Sequence, residues 1–259
     1  ENGAGKSTLF KIITGKTTHD GGNISFSKNT VIGYLDQYAC KDSDDTVFDK
    51  VLQVYEAYIK AEDELEDIRL EIENGSGDLD ALINRQNTLS DMMSQGDGFY
   101  YRNRVKSCLI GLGFSEEELS KKVCDLSGGQ KTRVELAKIL LSDSNLMLLD
   151  EPTNHLDIQS VEWLEDFLAS YKGAYIVISH DRYFLDGITN KTFELSDSVL
   201  RTYNGNYSAF VKQREIERKT EEGKNERINK EIERLEGVIE QQHRWNREKN
   251  IRTAESKQK

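Results

Sequence analysis

The residues Gly3 to Thr8 read GAGKST, the back half of a phosphate-binding loop whose full pattern is G-x-x-x-x-G-K-[ST]. The first glycine of that pattern would stand one position before Glu1. Asn2, Gly3, Ala4 and Gly5 would offer backbone N–H groups to a phosphate, and the helix start at Lys6, Ser7 and Thr8 adds a favourable dipole. Lys6 would reach the β/γ-phosphates and Ser7 would ligate Mg²⁺. A Gly-rich turn leading into a helix also occurs without nucleotide. A second stretch, LMLLDEPTNHLD, is an apolar run that ends on Asp150 and Glu151. Asp150 would hold Mg²⁺ directly or through water, and Glu151 would orient or activate an attacking water. The alternative is two acids at a solvated strand end. Pro152, the one proline of the chain, stops the strand just beyond the pair.

Three further pieces carry chemistry. In LSGGQKTRVELAKILL, Ser127 precedes Gly128 and Gly129, and a helix is expected to start near Gln130; its N–H-rich start suits an anion, or is a plain loop-to-helix junction. VISHD places His180 just past an apolar strand, next to the strand that carries Asp150. Gln37 ends VIGYLDQ, where its amide would link a metal or water to the segment after it.

The elements that must position these residues fall into four segments. Residues 1–45 hold the loop, a helix beginning KSTLFKIITG with Gly15 as its terminal glycine, a turn at Gly21–Gly22, and short β-like runs in NISFSKNTVIGYLDQ. Residues 46–106 are helical: apolar residues recur at three-and-four spacing from Val51 to Ile72, NGSGD (74–78) breaks the pattern, and Leu79, Leu82, Ile83, Leu89 and Met93 resume it. That predicts an antiparallel helical hairpin, with apolar faces too narrow to be buried all round. Residues 107–210 alternate helix and strand: LMLLD and AYIVISH read as buried parallel strands, and VEWLEDFLASY as the crossover between them. Residues 211–259 form one long helix whose Ile228, Ile232, Leu235, Ile239 and Gln242 make a heptad seam for one partner helix.

Composition sets the outer bounds. The 259 residues are 36% hydrophobic and 31% charged, so much of the chain is exposed helix or extension. No apolar run approaches the length of a membrane span. A net charge of −11 argues against a nucleic-acid partner as an average, but it hides an asymmetry: the 41–106 region is acidic and HRWNREKNIRTAESKQK is basic. Arg244, Trp245, Arg247, Lys249 and Arg252 combine cations with a stackable ring, as RNA-contacting segments do and as a solvated helix end also can. Cys40, Cys108 and Cys124 are scattered without metal spacing and read as free thiols in a reducing cytosol. No signal peptide is visible, although a chain without an initiator Met does not define its own N-terminus.

Taken together and in this order, the motifs resemble the ATP-binding cassette ATPases: Walker A (GAGKST), Q-loop (Gln37), LSGGQ signature, Walker B (LMLLDE), D-loop (Asp157) and switch His180. The resemblance implies an α/β P-loop NTPase with a RecA-like core, a small antiparallel β part and a helical subdomain, and it implies ATP and Mg²⁺ as cofactors. Gln37 would also contribute to the metal site and, with Glu151 and His180, to catalysis. Gln37 and Ser127 lie 90 positions apart, longer than a transporter cassette needs, and the surplus is the helical hairpin. DEPTNHLD, SHDRYFLD, GNYSAFVKQRE and the charged helix after them resemble the ABC-F subfamily, twin-cassette proteins without a membrane domain. On that resemblance 1–45 and 107–210 are the cassette core, 46–106 the family's arm and 211–259 the start of its interdomain linker.

The resemblance further implies a cytoplasmic protein that binds the ribosome near the exit-tRNA site, with the linker reaching toward tRNA, in translation or in ribosomal protection against antibiotics. Ser127, Gly128, Gly129 and Gln130 would cap the ATP of a second cassette, while Lys6, Ser7, Gln37, Asp150, Glu151 and His180 serve the chain's own. The strand leading into the loop, an adenine-stacking aromatic and the second cassette would then lie outside these residues, so the isolated chain is expected to bind ATP weakly and to hydrolyse it little. Two other readings compete. A transporter ATPase subunit leaves the hairpin and linker unexplained, and a nucleotide-binding scaffold without turnover is opposed by the presence of both Glu151 and His180.

Overall fold

We describe the chain from a computed structural model, covering residues 5–35, 43–95, 98–196 and 199–257. It divides into two units: residues 1–189 with 193–202, and residues 190–192 with 203–259.

The first unit is organised by a three-stranded parallel sheet, β1 (Ile32–Leu35), β2 (Leu146–Asp150) and β3 (Ala174–Ile178), in the order β1-β2-β3. β2 is central and almost wholly buried, which explains its unbroken apolar run. Leu146, Leu148 and Asp150 pair with Ala174, Ile176 and Ile178 of β3, and Ile32 and Tyr34 of β1 pair with Leu146 and Leu148. Side chains alternate between faces along a strand, so these residues share one face of the sheet. That face receives helix α1 (Lys6–Ile13): Phe10 clusters with Leu148 and Ile178, flanked by Ile13, Ile32, Tyr34 and Ile176. The opposite face, with Leu35, Met147 and Leu149, joins the larger core built by helices.

α1 ends as the sequence predicts. Gly15 takes φ 71°, its N–H donates to Ile12 and the Lys16 N–H donates to Lys11, a Schellman closure that a residue with a Cβ would strain. The β-like reading of 23–27 is corrected. Those residues form no strand, and Ile24 and Phe26 are exposed, because no ladder among the described residues runs beside them. Of that stretch only Ile32–Leu35 is a strand, held by its pairing to β2.

The large core gathers α2 (Val47–Leu52), α5 (Tyr101–Gly111), α6 (Gly128–Leu141), α7 (Ile158–Ser170) and α8 (Arg182–Ile188). α2 packs on α5 and α6, and α7 packs on α5 and α8. α3 (Glu56–Glu73) and α4 (Leu79–Gln95) are the two long helices of the expected hairpin, turned through Gly75 and Gly77, both at positive φ. Their shared seam buries Ala61, Ile68, Leu89 and Met93, while Arg85 bridges to Glu64 across the outside with two hydrogen bonds of 2.5 and 2.8 Å.

The periodic run from Val51 to Ile72 is not one helix. It breaks at a 3₁₀ turn, Gln53–Tyr55, where Tyr55 leaves helical geometry at φ −100° and ψ 28°. Burial explains the break: Val51, Leu52 and Tyr55 belong to the body's core, and the chain must re-aim before α3 departs. The Tyr55, Tyr58 and Tyr101 rings stack on one another at this root, with centroids 5.5–6.0 Å apart. The Tyr101 hydroxyl donates to Glu62 Oε2 at 2.6 Å, and Arg102 donates to the same oxygen at 2.7 Å. The boundary expected at 106/107 falls inside α5, whose Tyr101, Val105, Cys108 and Leu109 are all buried.

β4 (Lys191–Ser196) and β5 (Val199–Asn204) form a two-stranded sheet. The second unit is dominated by α9 (Tyr207–Lys257), 51 residues long, and the boundary expected at 210/211 falls within it. Phe210 packs against the Tyr203 and Tyr207 rings, and the Tyr203 hydroxyl donates to Glu217 at 3.0 Å. Farther along, Ile228, Ile232, Leu235 and Ile239 lie about half exposed on the expected seam.

Two outcomes test this packing. A methyl at Gly111 would overlap the Trp163 ring of α7, so Gly111→Ala should lower stability by about 1–3 kcal/mol in chemical denaturation. This is opposite in sign to the gain of roughly 1 kcal/mol that Ala gives a helix interior by propensity. Burial pushes the Cys108 thiol up to about 12, whereas Cys124 is exposed. Iodoacetamide followed by peptide mapping should therefore modify Cys124 in the folded chain and Cys108 only after denaturation.

Candidate active site

The site is assembled at the carboxyl ends of the strands, where ligands of open α/β sheets bind. Gly5 caps α1 at φ 88°, in the left-handed region, and has no side chain to satisfy the helix's first N–H groups. Lys6, Ser7 and Thr8 form the first turn, with Ser7 and Thr8 exposed. Phe10, one turn on, anchors this end over Leu148 and Ile178. Asn2, Gly3 and Ala4 lie outside the described residues, as does Gln37.

Asp150 projects on the same face of the sheet by strand alternation and is only 8% exposed. No cation or hydrogen-bond donor pairs with it among the described residues. A mostly buried carboxylate at a strand end, with its oxygens still reachable, is an oxygen donor that fits a hard cation such as Mg²⁺. The described residues contain no cluster of three or more His, Cys, Asp or Glu that could hold a metal by themselves. That suits an ion bound by one or two protein groups and completed by phosphate and water.

Glu151 follows at φ 51°, and its N–H donates to Ile178 O at 2.8 Å, extending the β2–β3 ladder one step past the strands. The positive φ turns its side chain out of the strand's course and into line with His180. The His180 backbone N–H donates to Glu151 Oε2 at 3.3 Å, and the ring Nε2 lies 3.5 Å from Oε1. The structure thus brings together the two residues that the sequence places 29 positions apart. The neighbouring hydroxyls of Thr153 and Ser179 lie 3.4 Å apart, a second link between the two loops. Asp181 caps α8, accepting from the N–H groups of Tyr183 and Phe184, and so fixes where the His180 backbone points.

α6 begins at Gly128, two residues earlier than expected, because Ser127 and Gln130 form a reciprocal capping box. The Gln130 N–H donates to Ser127 Oγ, the Ser127 N–H donates to Gln130 Oε1, and the Gln130 amide also donates to Glu118 at 2.9 Å. Glu118 closes a second capping box with Ser115. The S-x-x-Q spacing signals such a box, and in it the Gln130 side chain serves the helix start. Asp157 caps α7: hydrogen bonds from the Ser160 N–H and hydroxyl, reinforced by the charge of Arg133, hold its carboxyl below the usual range. Arg133 in turn donates to the carbonyls of Leu112 and Gly113. Sequence reasoning passed over Arg133 and His155; the latter lies against Gly129.

Arg244, Trp245, Arg247, Lys249 and Arg252 all lie on α9. The Trp245 side chain is 62% exposed, and the side chains of the other four lie outside what is described.

Comparison with known proteins agrees with this geometry. The family model described as ABC transporter matches residues 1–154, and a second model of the same description matches 193–259. The chain is 38% identical over 240 residues to the putative ATP-binding protein YdiF of Bacillus subtilis, covering 92% of the chain and 37% of that protein. It is 32% identical to the ATP-binding protein Uup of Haemophilus influenzae (96% and 38%) and 33% identical to ABC transporter F family member 5 of Arabidopsis thaliana (92% and 35%). The chain thus spans little more than a third of the length of these relatives. Among solved structures, the ATP binding subunit of an ABC transporter superposes with a TM-score of 0.56 at 19% identity, covering 79% of this chain and 75% of that one. The archaeal ribosome recycling factor aABCE1 superposes with a TM-score of 0.52 at 22% identity, covering 78% and 32%. No helix among the described residues is long and apolar enough to cross a membrane. With a parallel P-loop NTPase sheet, the ordered motifs and these relatives, the chain belongs to the ATP-binding cassette family, and its relatives are of the ABC-F type.

Proposed function

We propose that this chain is an ATP-hydrolysing cassette of an ABC-F-type protein that acts on the ribosome in the cytoplasm, in translation or in protecting the ribosome from antibiotics. The observation that carries the hydrolytic reading is the Glu151–His180 pair at the carboxyl ends of β2 and β3, beside the buried Asp150. Bound ATP·Mg²⁺ would supply the phosphoryl group and the charge that neutralises it. The chain's residues do the rest. The first turn of α1 presents backbone N–H groups, with Lys6 and Ser7, to the phosphates. Asp150, with Ser7 and Gln37, would hold the cation.

Glu151 takes the proton of the attacking water as its oxygen bonds to the γ-phosphorus and the bond to the ADP oxygen breaks. His180 keeps that carboxylate aimed through its backbone N–H and its ring. Ser127, Gly128 and Gly129 face the nucleotide of a second cassette in the same polypeptide, so closure driven by nucleotide would gate ribosome binding.

We assign residues 1–45 and 107–210 to the cassette core, 46–106 to an arm and 211–259 to a linker. The Arg244, Trp245, Arg247, Lys249 and Arg252 group would contact RNA. The break at Tyr55 and the tyrosine-packed root support an arm that departs from the body as a distinct piece. The exposed seam of α9 supports a linker that meets another helix.

Two experiments on the full-length polypeptide test these readings. Glu151→Gln should lower kcat for ATP at least about 100-fold while leaving ATP binding intact, and should retain the protein on sedimenting ribosomes. Unchanged turnover removes Glu151 from the role of base, and sedimentation with membranes instead favours a transporter subunit. Replacing Arg244, Arg247 and Arg252 together with Glu should weaken ribosome binding and flatten its dependence on salt by about three counterions, without altering ATP turnover off the ribosome.

A further inference from the structure

The two signature glycines differ in why they are glycine. A Cβ at Gly128 would meet nothing within 4 Å, so that position is open to a ligand approaching from outside. A Cβ at Gly129 would lie 2.9 Å from His155 Cγ, 3.0 Å from its Cβ and 3.3 Å from Nδ1. The Cβ is fixed by the His155 backbone, so rotating the side chain moves the ring but leaves the 3.0 Å contact in place. The enclosure of Gly129 comes from within the chain.

His155 is also held at φ 68°, where L residues are uncommon and glycine is at ease. It sits in the second of two overlapping turns: the Asn154 N–H donates to Glu151 O and the Leu156 N–H donates to Thr153 O, both at 3.2 Å. A costly backbone state is kept, and what it delivers is an imidazole against the signature. The same short loop starts at Glu151 and ends at Asp157, the cap of α7.

We propose that His155 is a positioning residue whose ring seats the start of α6 on the turn following β2, coupling the Glu151 loop to the amides of Gly128 and Gly129. The consequence for catalysis rests on the ATPase reading above; the contact itself does not. A shift of the 151–157 turn passes directly to the signature, so the chain's own site and the surface it offers to a second nucleotide move as one piece.

The test is a double-mutant cycle on the full-length protein, comparing wild type, Gly129→Ala, His155→Gly and both together. Glycine suits the positive φ at 155 and removes the whole side chain, Cβ and ring together. Gly129→Ala and His155→Gly should each raise amide hydrogen exchange at 128–131 by about tenfold or more, one through a clash and the other through loss of the seat. The double variant should match His155→Gly rather than multiply the two effects, since the added methyl then has room. Each single variant should lower kcat about tenfold with KM for ATP changed less than about threefold.

Multiplicative effects in the double variant, or His155→Gly indistinguishable from wild type in exchange and kcat, would overturn the proposal. If the wild type hydrolyses no ATP, the functional reading fails while the exchange cycle still decides the contact.

Discussion

Everything in the first unit depends on β2 being paired on both edges. Parallel ladders to β1 and β3 bury the strand, and burial on both faces forces its residues to alternate between two apolar environments. Met147 and Leu149 enter the helical core, while Leu148 supports α1. The same alternation leaves Asp150 on the α1 face, where the strand runs out, and the next residue breaks from it at positive φ to meet His180. A one-residue slip in that register would send Asp150 into the helical core and turn Met147 toward α1.

Much of the site was legible in the sequence because its signals are short-range. Walker-type residues sit at strand ends and helix starts, and an apolar run with a polar stop shows such an end directly, as LMLLD and AYIVI do. The capping roles were legible in principle but were overshadowed by function. Ser127 and Gln130 read as ligand contacts, although S-x-x-Q also specifies a helix start, and the start is where the structure uses Gln130. What the residues alone could not give was tertiary. The periodicity from Val51 to Ile72 is continuous at three-and-four spacing, and only the demand that Tyr55 join the body's core breaks the helix there. Ile24 and Phe26 alternate like a strand, but a strand needs a ladder, and sequence does not say what stands beside it. The contact between Gly129 and His155 joins residues 26 apart through a turn whose strain leaves no compositional mark.

Local caps recur throughout, and they share a purpose. Ser115, Ser127, Asp157 and Asp181 each start a helical segment by accepting N–H groups, and two of them, Ser127 and Asp181, border residues read as nucleotide-facing or catalytic. Removing such a cap costs typically about 1 kcal/mol. At these places it would also release the direction in which Gly128 or His180 is presented.

The root of the hairpin has a mechanical consequence. α2 and α5, which frame it, pack on α6, the helix that carries the signature at its start. The 18 residues of α3 extend about 27 Å from that root. By that length alone, a tilt of about 5° at the root would carry the far end of the hairpin roughly 2 Å, while the elements at the root stay packed beside the start of α6.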